Sequence, residues 1–378
     1  MQFQSAEDFR LKIVLSVLSG KALRITSPTP FEDHEIAFMK LVVQLSDNCK
    51  AVLQPTGRSL SFVPGAMRGG VVAFECPLTR GIGYYVEMLL LLCLLAKYKT
   101  VLTLTGITNE NTSLSVDTIR DVTIKQVRWF GLEEDDISLI VEKRGFQPEG
   151  GGCVTLTVHP KETLGSIDLG RLALFEKVEG HCISALLPPA LANRALTAAK
   201  GELLKVLANV YVTADHATMK RAGKSKGFGL CLTATTVTGS VVGAELYTDT
   251  KDTDFADPEA MGVYVARVLM TEAQYLGSPD MRHQPLILLF MAATTANVSR
   301  CRFGPLTHRT VRTLRLIEAF LGIKFLLEPK TVQFEEEYRS EEEWKKDGRK
   351  TLYRTKQMAF VVVSCRGRGV QNINKTGF

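Results

Sequence analysis

The stretch Arg144-Gly145-Phe146-Gln147-Pro148-Glu149-Gly150-Gly151-Gly152, running into Cys153-Val154-Thr155-Leu156-Thr157-Val158, decides how the rest of the chain is read. A basic residue precedes a proline-fixed turn, and three consecutive glycines open a strand of alternating apolar and polar residues. Glycine has no Cβ, so it takes positive φ and lets another backbone or a phosphate come close. Taken alone, the pattern fits a tight hairpin entry as well as an anion site. Arginine recurs beside glycine at Arg68-Gly69-Gly70, Arg80-Gly81-Ile82-Gly83 and Arg366-Gly367-Arg368-Gly369. A guanidinium next to open N–H groups suits phosphate oxygens, through fork hydrogen bonds and amide nests. The expectation is an anion-binding face assembled from these turns.

Outward from the glycines, strands and helices alternate. Residues 137–142 and 101–106 read as strands, 116–130 as a helix and 109–115 as a polar loop. Residues 84–97 form a helix apolar nearly all round, hence buried. Further upstream, 71–75, 50–54 and 59–63 read as strands, and 31–46 has helical apolar spacing behind acidic residues. Residues 11–18 alternate loosely and stop at Ser19-Gly20-Lys21, which predicts a strand and a turn before another short strand at Arg24-Ile25. Repetition shows in the elements, not the letters. This is an α/β (α+β) chain with helices packed on sheets.

Beyond residue 176 the texture changes. A helix and strand over 188–212, a basic glycine loop over 222–229, strands over 230–237 and 243–247 and a helix over 258–277 suggest a small inserted α/β domain. The division expected is a large body of 1–175 and 285–378 around an insertion of 176–284. Residues 286–293 resume an apolar element, and Gly304-Pro305 turns into a helix over 310–321. Residues 331–356 carry Glu335 to Glu337, Glu341 to Glu343 and Lys345-Lys346 and read as a solvated loop. A strand over 358–365 and a basic tail with Arg366, Arg368 and Lys375 close the chain.

Hydrophobic residues make up 45% and charged residues 23% of the 378, as in a globular chain with a sizeable core. The net charge of +6 permits an acidic partner such as RNA without requiring one. The eight cysteines are scattered with no C-x-x-C pair, so buried free thiols in a reducing compartment are expected. The N-terminal residues lack a basic region followed by an apolar core, and the run 88–96 is far shorter than the ~20 residues of a membrane span. A cytosolic or nuclear protein without a membrane partner is expected.

Gly223-Lys224-Ser225 imitates a nucleotide P-loop, but that motif needs a glycine at position 218, where this chain has Thr. The loop with Lys224 and Lys226 either touches RNA phosphates or is a solvated turn. H-E-x-x-H, G-x-S-x-G and carboxylate-rich metal motifs are absent. His34 and His159 read as surface residues. His308 opens a helix after Gly304-Pro305, where a neutral imidazole is a candidate nucleophile.

The pattern R-G-x-x-P-x-G-G-G before a strand resembles the signature of the RNA 3'-terminal phosphate cyclases. Other pieces agree in order: Leu15-Ser16 with Ser19-Gly20, Pro64-Gly65 with Arg68-Gly69-Gly70, Gly106 with Thr108-Asn109, and Gly304-Pro305-Leu306-Thr307. Arg80-Gly81-Ile82-Gly83-Tyr84-Tyr85, Ser115-Val116-Asp117, Gly223-Lys224-Ser225 with Gly227-Phe228-Gly229, and Ala244-Glu245-Leu246 look like the family's cyclase-like branch. The resemblance implies three repeats of two helices on a four-stranded sheet, plus a small inserted α/β domain. For active members it also implies a histidine that ATP adenylates, transfer of AMP to an RNA 3'-phosphate, and ring closure by the neighbouring 2'-hydroxyl.

The departures from that pattern are specific. The nucleophile position falls on Arg309, whose guanidinium stays protonated and cannot attack phosphorus. His308 is one residue away, a rotation of roughly 100° on a helix. The glycine-rich run that precedes Arg10 in cyclases is replaced by Gln4-Ser5-Ala6-Glu7-Asp8, and a nucleotide-contacting Gln falls on Leu90. The branch implies a ribosome-biogenesis factor without cyclase activity, without a cofactor and without a bound metal. It would act in the nucleus and nucleolus on pre-rRNA of the small subunit, within the small-subunit processome and beside a ribosome-biogenesis GTPase. Arg10, Arg68, Gly69, Gly70, Arg80, Arg144, Gly150, Gly151, Gly152, Lys224, Lys226 and Arg309 are the anion- or RNA-binding candidates. Charge reversal at Arg68 and Arg144 is expected to weaken binding without unfolding. The alternatives are a pre-rRNA endonuclease, a cyclase using His308, and a protein scaffold that touches only the GTPase.

Overall fold

A computed structural model describes residues 1–248, 257–338 and 352–372. Its main body repeats one path three times. The first pass is β1 (Gln2–Phe3), α1 (Phe9–Ser19), β2 (Leu23–Thr26), α2 (Asp33–Gln44), β3 (Lys50–Leu53) and β4 (Ser59–Val63). The second is β5 (Gly70–Glu75), α3 (Ile82–Leu94), β6 (Thr100–Gly106), a composite helix α4, β7 (Ile137–Lys143) and β8 (Gly152–Val158). Helix α4 joins Val116–Thr118, a π turn at Ile119–Thr123, Ile124–Val127 and a 3₁₀ turn at Arg128–Phe130. The third pass opens with β9 (Asp168–Leu169).

The third pass is interrupted there by β10 (Phe175–Ala185), α5 (Pro189–Leu203), β11 (Val210–Ala217), β12 (Gly227–Thr236), β13 (Val241–Tyr247) and α6 (Pro258–Gln274). It resumes with α7 (Gln284–Ala293), β14 (Val298–Phe303), α8 (His308–Leu321), β15 (Leu326–Tyr338) and β16 (Leu352–Arg366). In each pass the first two strands pair in parallel and the last two close the four-stranded sheet as an antiparallel hairpin. The mixed α/β class follows from this path.

Two helices explain how the passes share one interior. All thirteen residues of α3 and all ten of α7 are buried, so each is packed from every side. They lie in a single core that also takes in Phe9, Phe38 and Phe320 of α1, α2 and α8 and Phe62 of β4. The interrupting segment has a core of its own, where Val178, Leu230, Leu232 and Val242 meet Ala195, Ala199, Met261 and Val265 of α5 and α6.

Three local expectations are corrected. Residues 11–18 belong to helix α1, not to a strand. The run is buried on nearly every side, so it carries no clear period, and Ser19-Gly20 is the helix stop: Gly20 at φ +69° donates its N–H to Val17 O. The glycine loop over 222–229 ends sooner than expected, because Gly227 already opens β12. The flanks of the 331–356 segment are strands, paired in register from Thr331 opposite Ala359 to Tyr338 opposite Leu352. Glu341 to Glu343, Lys345-Lys346 and Lys375 lie outside the described residues.

Candidate anion-binding cavity

Glu87 is the one charged residue of α3, and it is 1% exposed. A carboxylate held there needs cations, because an unpaired buried charge is costly. Two arginines supply them. Arg10, in the first turn of α1, places Nη1 3.0 Å from Glu87 Oε2. Arg309, in the first turn of α8, places Nη2 3.3 Å from Glu87 Oε1. Burial alone would raise the Glu87 pKa, but Arg309 and Arg10 outweigh it and hold the carboxyl below its ordinary range.

Arg10 and Arg309 line a cavity of about 260 Å³, whose wall also carries the carboxylates of Glu7, Asp8, Glu32 and Glu35. The Arg10 guanidinium lies 3.9 Å above the ring of Tyr84 and donates to the Tyr84 carbonyl. Arg80 lines the cavity too, and among the described residues its guanidinium has no carboxylate or hydrogen-bond partner. His34 stands edge-on to Tyr84, with ring centroids 4.8 Å apart. It is buried, not on the surface as the sequence suggested. Burial, then the charge of Arg80, pushes its imidazole pKa down, so the ring is neutral. Its Nδ1 lies 3.4 Å from Glu32 Oε2 in a direction that forms no hydrogen bond.

The rim where cyclases were expected to carry glycines is acidic here, and the acids are engaged. Arg312 of α8 reaches Asp8 at 2.7 Å and Glu7 at 2.9 Å. Lys12 Nζ donates to the carbonyls of Ser5 and Glu7. Asp8 caps α1 at φ +54°, a left-handed conformation uncommon for a side-chain-bearing residue. The segment before Arg10 is therefore pinned to α8.

Three of the sequence candidates, Arg10, Arg80 and Arg309, line the cavity together, whereas His308 is exposed and does not. Arg68 is half exposed, 3.7 Å from Asp47, and lines no part of it. Gly69 and Gly70 beside it bond backbone to backbone with Leu45 and Lys99.

Arg144 is only 2% exposed and is committed to two carboxylates, Asp117 at 2.5 Å and Asp215 at 3.0 Å. It is a buried tie between α4 and β11, so the expectation that its charge can be reversed without unfolding is corrected. The glycine stretch likewise serves a joint. Lys224 N–H donates to Gly150 O at 2.9 Å, Gly223 N–H to Arg144 O at 2.5 Å, and Glu149 N–H to Ser225 Oγ at 3.0 Å. A Cβ on Gly151 would stand 3.1 Å from Lys224 N, and Gly151 sits at φ +77°. Lys224 and Lys226 project outward from this joint. Cavity and joint are neighbours: buried Glu110 accepts from Gly81 N–H at 2.7 Å and from Gln147 Nε2 at 3.0 Å.

The RNA 3'-terminal phosphate cyclase family description matches residues 1–327 of the chain. The chain belongs to the RNA 3'-terminal phosphate cyclase family. Within that family it is 35% identical to a probable RNA 3'-terminal phosphate cyclase-like protein of Dictyostelium discoideum, over 88% of this chain and 96% of that one. It is 30% identical to the RNA 3'-terminal phosphate cyclase-like protein of Homo sapiens, over 100% of this chain and 98% of that one. It is also 30% identical to the rRNA processing protein rcl1 of Schizosaccharomyces pombe, over 99% and 97%. Sequence reasoning missed His34 and Tyr84 in this family member's cavity, and Glu87, which holds two of its arginines. Glu87 did leave a signal: it is a lone charge in an otherwise apolar helix.

Proposed function

We propose that this protein is a small-subunit pre-rRNA processing factor that binds RNA without performing cyclase chemistry. The carrying observation is the pairing at the start of α8: Arg309 faces the cavity and His308 does not. A guanidinium there can hold a phosphate oxygen but cannot accept an adenylyl group. The lining carboxylates Glu7 and Asp8 are paired with Arg312, whereas Arg80 has no carboxylate partner among the described residues. This favours an anion beside Arg80, Arg10 and Arg309, with Tyr84 and neutral His34 as walls. The ligand this chemistry fits is a phosphorylated RNA nucleotide. The relative named an rRNA processing protein supports a role in ribosome biogenesis, and with it nuclear and nucleolar placement. A processome setting and a GTPase partner complete the reading.

The test has two parts. Incubation with labelled ATP should give no protein adenylate, and RNA bearing a 3'-phosphate should come back unclosed. Replacing the endogenous protein with an Arg10→Glu, Arg80→Glu variant should cause small-subunit rRNA precursors to accumulate. A histidine adenylate, or normal processing with that variant, overturns the reading.

A further inference from the structure

The joint between the glycine stretch and β12 carries charge that the cavity does not use. Residues 216–227 contain Lys220, Arg221, Lys224 and Lys226 and no Asp or Glu. All four are exposed, as is Lys143 at the end of β7, just before Arg144. Among the described residues none of these five cations has a carboxylate within 4.0 Å.

Two features make this more than a solvated face. First, among the described residues, carboxylates that adjoin it are engaged by other groups. Asp117 and Asp215 are bound to buried Arg144, and Glu142 accepts the Thr155 hydroxyl at 2.5 Å. Glu149 is the remaining acid of the adjoining stretch. Second, the loop is a platform and not a tether. Arg144 N–H donates to Arg221 O at 2.7 Å and Gly223 N–H to Arg144 O at 2.5 Å. Lys224 N–H reaches Gly150 O at 2.9 Å, and Ser225 Oγ receives Glu149 N–H at 3.0 Å. Cations on a fixed backbone bind a charged strand with less ordering cost than cations on a free loop.

We infer that the 218–226 loop and Lys143 form a second RNA contact, which tracks the phosphates of a strand whose end enters the cavity. The inference rests on the RNA-binding reading above. Glu110 supplies the continuity, since it ties the Arg80 loop to Gln147 beside this joint. Exposed lysines read backbone charge, not base sequence.

The experiment is fluorescence anisotropy across a salt series, with a labelled single-stranded RNA of roughly 20 nucleotides, long enough to span several contacts. Lys224→Glu combined with Lys226→Glu should weaken binding roughly tenfold or more and flatten the slope of log K against log salt by about 1.4, for two lost contacts. Lys220→Ser combined with Arg221→Ser, which adds no negative charge, should act in the same direction. Unchanged affinity and slope in both pairs, with binding still lost in Arg80→Glu, overturns the loop assignment and leaves the cavity reading standing. Absence of RNA binding by the wild-type chain overturns both. Loss of poly-glutamate binding in the loop variants with RNA binding intact assigns the surface to an acidic protein and overturns the RNA assignment.

Discussion

Arg309 Nη2 lies 3.3 Å from Glu87 Oε1, so the first turn of α8 is bonded to the middle of α3. Arg10 meets the other oxygen of the same carboxylate. One buried acid thus holds two cations whose outer faces can serve an anion. Glu87→Gln removes the charge but keeps the shape. Melting should fall by the equivalent of about 2–3 kcal/mol, since two partly buried guanidinium groups lose their counter-ion. Added sulfate or phosphate should raise the variant's melting temperature more than the wild type's. Equal anion effects on both would mean that the arginines do not share a site.

His308 and Arg309 separate by direction, not by distance along the chain. His308→Ala should leave RNA affinity unchanged and shift stability by less than about 0.5 kcal/mol, as surface changes usually do. Arg309→Ala should weaken binding of RNA carrying a terminal phosphate more than binding of the same RNA without it. Filter binding with the two RNAs separates these outcomes. A larger loss from His308→Ala would return the histidine to the site.

The path was legible because its strands alternate and because α1, α4 and α8 stop at Gly20, Gly131 and Gly322. Residues 11–18 were not, since a run buried on all sides has neither a helical nor a strand period. The site was half legible. Arginine next to glycine marked Arg80, which lines the cavity, but it marked Arg144 equally, and no local pattern separates a cation that faces a cavity from a cation held by Asp117. That difference depends on α4 and β11 meeting at the joint, which is a property of the tertiary fold. His34 escaped for the converse reason: polar and near acidic residues in sequence, it is buried through contact with Tyr84, fifty positions away.

Arg144 therefore belongs to stability. Arg144→Ala leaves Asp117 buried without its main partner, for which burial raises the pKa and Arg144 and Arg120 hold it down. The loss should be about 3–5 kcal/mol by denaturant unfolding. Arg144→Lys should recover little, because one ammonium cannot reach two carboxylates in a fork. Asp117→Asn in the Arg144→Ala background should recover part of the loss by removing the stranded charge. Additive losses in that double variant would show that the pair does not act as a unit.

Glu272 near the end of α6 gives the chain a pH dependence of unusual sign. Burial, then the charge of Asp280, raises its pKa to about 7. Asp280 keeps its own charge, since it is 2.7 Å from His283 Nδ1 and receives the Gly243 N–H. Between the ordinary carboxyl value of 4.5 and about 7, the folded chain holds a proton that the unfolded chain has released. The contribution of Glu272 to stability is therefore present at the acid end of that window, falls as pH rises through it, and is constant above. Because the side chain is partly solvated, the fall should be on the order of 1 kcal/mol. Glu272→Gln cannot titrate, yet it still offers an oxygen to the Met281 N–H that Glu272 accepts at 3.2 Å. Urea unfolding across the window should show a shallower decline for this variant than for the wild type, with the variant the more stable of the two at its alkaline end. Parallel curves would assign the decline to another group.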